Sequence, residues 1–133
     1  MDESDSMKIL GFYQELWPEK AGTPAGSIRD FIRQYPAVDE ADVARYLGTG
    51  HELIVFMGAV GDILGSDYRI LGGDNIVTDG EWVWRADIDF YLTHYHLALP
   101  EEFLRKAREN QYAAPDVSRD QLLKIDEEVH MIL

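Results

Sequence analysis

The sequence predicts a single α+β domain in which a small antiparallel sheet with a central Asp-Gly hairpin packs against several short helices. Three observations predict it. A chain of 133 residues with 46% apolar side chains is long enough for one core and short for two. Residues 76–84 place Asp79-Gly80 between two β-prone runs, the pattern of a two-residue hairpin, because a type I′ turn needs positive φ at both central positions. Segments of helical period lie ahead of that hairpin and after it, which suits a central sheet with helices around it.

Residues 1–6 read as a disordered acidic tail and residues 7–133 as the domain. In residues 7–17, Ile9, Leu10, Phe12, Tyr13, Leu16 and Trp17 are too dense for a clean period, so the segment is extended or mixed. Residues 18–26 form a Gly/Pro loop. Ser27, with Asp30 in the first turn, caps a short helix through Ile32 that Pro36 stops. Residues 39–48 form the next helix, with Asp39 as its cap, Asp42 at the positive end of its dipole and Gly48 just past its end. Residues 51–57 are a β-branched-rich run of strand length and predict a buried strand. A turn over 61–67 leads to a short strand over 68–71.

After the hairpin, Ile88, Tyr91, Leu92 and Tyr95 recur at i, i+3, i+4 and i+7, a helix over 87–95. Pro100 opens a further helix as its first residue, with Glu101 and Glu102 near its start and Arg105, Lys106 and Arg108 toward its end. Ser118 with Gln121 caps the last helix, whose inner stripe is Leu122, Ile125, Val129 and Ile132.

The chain carries 12 Lys+Arg against 25 Asp+Glu, a formal charge of −13. Such a surface repels nucleic acid and anionic lipid, so neither is an expected partner; a basic protein or a cation is the natural opposite. With no cysteine, a disulfide framework, a thiolate metal site and a cysteine nucleophile are excluded. The first residues are acidic where a secretory signal would be basic and then apolar. The longest nearly apolar run, residues 53–60, is eight residues against the about 20 of a membrane helix. A cytoplasmic location is expected.

No arrangement of residues announces a reaction. His94 and His96, with Asp87 and Asp89 upstream, are spaced to fall on different sides of a helix, so no metal and no cofactor is expected; a histidine bonded to a backbone carbonyl at the helix end accounts for the pattern. There is no G-x-S-x-G, Ser66 fits a turn, and Gly72-Gly73-Asp74 lacks the Lys and Ser/Thr of a phosphate loop. Trp82 and Trp84 share one strand face and form either core under a helix or an aromatic binding platform. Asp74, Asp79, Glu81, Asp87 and Asp89 stand against Arg85 alone in residues 74–89. If the hairpin turn and the following helix start lie together, these acids present a focused negative patch to a partner.

The segment Thr78-Asp79-Gly80-Glu81-Trp82-Val83-Trp84, continuing through Tyr95-His96 and Leu99-Pro100 to Phe103, resembles a group of small bacterial proteins of the actinobacterial type that share a TDGxWxW…YHxxLPxxF block. Gly11-Phe12-Tyr13-Gln14-Glu15-Leu16 and Ser27-Ile28-Arg29-Asp30 extend the likeness over most of residues 7–105. Ile88 and Phe90 stand where Leu and Tyr are usual, and the tail after Asn110 departs from the group. The resemblance supplies no catalytic residue. It implies a loose association with toxin–immunity loci, and with the charge it favours an inhibitor that neutralises a basic protein such as a toxin. Two other readings remain: a small enzyme or ligand binder using a cleft lined by Trp82, Trp84, His94 and His96, and an interaction domain whose last helix pairs with a second copy as a homodimer.

Overall fold

A four-stranded sheet forms from the most β-prone segments, in the spatial order β1 (Lys8–Ile9), β6 (Trp82–Arg85), β5 (Ile76–Thr78), β2 (His51–Ile54). The computed structural model describes residues 7–133, and the expected acidic tail lies outside the described residues. β5 pairs antiparallel with both β6 and β2, but β1 runs parallel to β6, so the sheet is mixed. The purely antiparallel expectation fails because β1 does not reach β6 through a tight turn; more than half of the chain separates them, and β6 has only its outer edge free. A second sheet pairs β3 (Ala59–Gly61) with β4 (Arg69–Leu71).

Helices α1 (Glu40–Gly48), α2 (Asp87–Tyr95), α3 (Glu101–Glu109) and α4 (Arg119–Ile132) complete the α+β domain. Each turns an apolar stripe inward: Val43, Tyr46 and Leu47 from α1, Ile88, Tyr91 and Leu92 from α2, Phe103 and Ala107 from α3, Ile125 and Val129 from α4. Each large side chain so buried contributes about 1.5–3 kcal/mol by transfer alone. Ser118 accepts from the Gln121 N–H at 3.2 Å, the N-cap read in the sequence. Among the described residues, no helix is long and apolar enough to cross a membrane.

Several local expectations change. The turn between β5 and β6 is wider than two residues, because β5 ends at Thr78 and β6 begins at Trp82, which leaves residues 79–81 in the loop. Asp79 has no positive φ, and Gly80, at +102°, alone supplies the left-handed conformation. Asp39 makes no side-chain cap; its carboxylate instead accepts from Arg108 Nε at 3.0 Å and the Tyr112 hydroxyl at 2.8 Å, stronger partners than its own helix offers. Gly48 is the last helical residue and Thr49 closes α1. Pro100 sits one position outside α3, with extended ψ. The segment after Ser27 is a 3-10 helix, Ile28–Phe31. Finally, β2 ends at Ile54, and the apolar residues that follow it are exposed rather than buried.

Candidate functional site

The five nominated acids separate into three environments. At the turn end of the β5–β6 hairpin, Asp79 is 1% exposed. It accepts from the Glu81 and Trp82 backbone N–H groups at 3.0 and 2.8 Å and from the Tyr46 hydroxyl at 2.7 Å. Glu81 lies between Lys106, at 3.1 Å, and Lys8, at 3.2 Å. Burial works to raise its carboxyl, but the two ammonium groups outweigh that and hold it below the ordinary value. Both charges are neutralised inside the domain.

At the other end of the hairpin, Asp87 is fully buried and takes the Arg85 guanidinium at 2.7 and 3.2 Å. Burial pushes its carboxyl up to about 6, with Arg85 opposing and the charge of nearby Asp74 adding to the rise. The turn and the helix start are therefore a strand length apart, and these acids do not form one patch. Asp79 and Asp87 are turned inward to organise the fold, which withdraws them from any partner.

The elevated Asp87 has a consequence for stability against pH. Its folded value lies above its ordinary 3.8, so the folded state binds the proton more tightly, and this contribution is present at low pH and lost as pH rises through about 6. Relative to Asp87→Asn, the wild-type chain is expected to lose about 2 kcal/mol between pH 4 and pH 7. Urea denaturation of both proteins across that range checks it, and parallel stability curves would show that the carboxyl does not titrate there.

Trp82 and Trp84 are core, at 6% and 1% exposure. Phe103 of α3 covers both, with ring centroids 5.5 and 5.7 Å away in edge-on geometry. The platform reading is corrected: Phe103 of α3 closes over that strand face. The histidines sit apart. His94 Nδ1 is 3.1 Å from the Phe90 carbonyl and its ring stacks on Phe90, whereas His96 faces Glu40 at 2.8 Å. Among the described residues, no three His, Asp or Glu side chains gather as metal ligands. The inner stripe of α4, Ile125 and Val129, is buried in its own domain.

Asp89, the remaining acid, faces a cleft of about 250 Å³ lined also by Glu52, Val77, Gly50 and the C-terminal residues of α1, Leu47 and Gly48. Desolvation raises the Asp89 carboxyl above its ordinary value, with His94 lowering it in part. Among the described residues, neither Asp89 nor Glu52 has an ion-pair partner. The end of α1 adds the negative pole of a helix dipole. Gly50 is needed at the floor, where an added Cβ would stand 2.4 Å from a Val77 methyl and 2.8 Å from the Trp84 ring. Two unneutralised carboxylates and a helix C-terminus make a seat for an ammonium or guanidinium group. Glu52 escaped sequence reasoning because nothing local distinguishes it; only the β2–β5 register, which sets it opposite Val77, brings it toward Asp89.

No family model, no curated protein and no solved structure matches this chain.

Proposed function

We propose that this chain is a small, acidic, cytoplasmic binding protein of the bacterial immunity or inhibitor type, which neutralises a basic protein partner such as a toxin by charge complementarity. The supporting observation is the cleft of Glu52 and Asp89, where two carboxylates with no ion-pair partner among the described residues stand beside the end of α1. A surface lysine or arginine of a partner entering it gains what the domain itself withholds. The formal charge of −13 supplies the long-range attraction. A toxin acting on nucleic acid has a basic working face, and an acidic inhibitor competes for that face. The lack of cysteine suits a reducing compartment.

The test is capture of the partner from the native host followed by binding kinetics at several salt concentrations. The association rate is expected to fall about tenfold or more from low to high salt. Replacing Glu52 and Asp89 together by Gln and Asn is expected to weaken the complex about tenfold or more, mostly through dissociation. A salt-insensitive association rate, or a complex indifferent to both substitutions, contradicts the reading.

A further inference from the structure

The cleft is flanked by an apolar surface that the fold does not use. Val55, Phe56 and Met57 follow β2 in sequence and are 56%, 42% and 96% exposed, and Leu71 of β4 is 86% exposed. A soluble domain rarely leaves three consecutive apolar side chains in water unless they serve contact. The Gly72 N–H donates to the Gly58 carbonyl at 2.8 Å, which extends the β3–β4 pairing and sets Leu71 beside the 55–58 segment. The segment is also tied to the cleft. Asn75 Oδ1 accepts the Phe56 N–H at 2.8 Å, and Asn75 Nδ2 reaches Glu52 at 3.5 Å. One side chain thus holds the apolar run against the acidic wall.

We infer that residues 55–57 and Leu71 form a docking face for an amphipathic cationic segment of a partner protein, whose apolar side chains cover this face while a lysine or arginine reaches Glu52. This rests on the binding function proposed above and specifies what the partner must offer: a charge with an apolar neighbour, not charge alone. Charge complementarity selects the occupant. Glu52 is joined to the face through Asn75 and carries no ion pair among the described residues, while Arg69 of β4 donates its guanidinium to the Ala59 carbonyl at 3.1 Å. A second copy of the chain would set Glu52 near its own counterpart on top of a formal −13 on each molecule. Met57, flexible and polarizable, adapts to whichever apolar group arrives.

The experiment titrates the full chain, observed by amide chemical shifts, with two synthetic peptides of equal length and charge, one alternating Arg and Leu and the other alternating Arg and Ser. The Arg/Leu peptide is expected to bind about tenfold more tightly or better, shifting amides of residues 52–58 and 71–75, and Met57→Ser with Leu71→Ser is expected to abolish that advantage. Both replaced side chains are solvent-exposed, so the variant keeps its fold. Equal binding of the two peptides, or an unchanged advantage in the double variant, overturns the docking face while leaving the charge-based reading in place. Binding of neither peptide overturns both. Concentration-dependent self-association in light scattering that Met57→Ser and Leu71→Ser remove would assign the face to a second copy and overturn the cationic partner.

Discussion

Replacing Asp79 by alanine is expected to lower the unfolding free energy by about 3–5 kcal/mol, a large share of the stability of a domain this size. The carboxylate is buried and receives two backbone N–H groups and the Tyr46 hydroxyl, and Lys106 Nζ stands 3.4 Å away. Alanine leaves three donors without an acceptor where water has little access, and each buried unsatisfied group costs about 1–3 kcal/mol. Burial, together with the Asp79 carboxylate, pushes the Tyr46 phenol above its ordinary value, so the hydroxyl is a donor at neutral pH. Asp79→Asn keeps one oxygen for the turn amides, and Lys106 retains Glu81 at 3.1 Å; its cost is expected to be about 1–2 kcal/mol. Urea denaturation at neutral pH separates the two. A loss under about 1 kcal/mol for Asp79→Ala would show that the turn is held by its backbone rather than by this carboxylate.

Asp79 also shows where the sequence was legible and where it was not. Asp-Gly between two β-prone runs announces a turn, and the turn is there. Its length is set by a side chain that folds back on Glu81 and Trp82 and is fixed from outside by Tyr46, a partner 33 positions away that no local pattern reveals. Asp39 repeats the lesson: a sound capping signal loses to Arg108 and Tyr112, which lie far along the chain. Where local and tertiary preferences agree, the reading holds to the residue, as for α2 over Asp87–Tyr95 and the Ser118 cap of α4. The 51–57 run fails for a different reason, since an apolar stretch has the same composition whether it ends in the core or on a binding face.

The candidate site was the least legible part. In a chain with 25 acids no single carboxylate stands out, and nearness in sequence misled because successive strand residues move apart by about 3.3 Å each. Of the five acids nominated from residues 74–89, Asp89 alone belongs to the cleft, and its companion Glu52 comes from a different strand. What separates Asp89 from Asp79, Glu81 and Asp87 is that, among the described residues, it has no ion-pair partner, which only the assembled fold can reveal.

Phe103→Ala is expected to cost about 3–5 kcal/mol and to act on the same turn from above. The ring meets Tyr46, Trp82 and Trp84 at 5.7, 5.5 and 5.7 Å, so one truncation removes three edge-on aromatic contacts and opens a cavity under α3. Tyr46 belongs to both systems: its ring packs on Phe103 and its hydroxyl holds Asp79. If the phenol drifts into the cavity, the Asp79 bond lengthens as well, and the losses of Phe103→Ala and Asp79→Ala overlap. The softer pair Phe103→Leu and Asp79→Asn keeps the double variant folded, and its combined loss is expected to fall short of the sum of the single losses by about 0.5–1 kcal/mol. Strict additivity in denaturant titrations would mean that the aromatic cluster and the turn are stabilised independently, with Tyr46 held in place by the rest of α1.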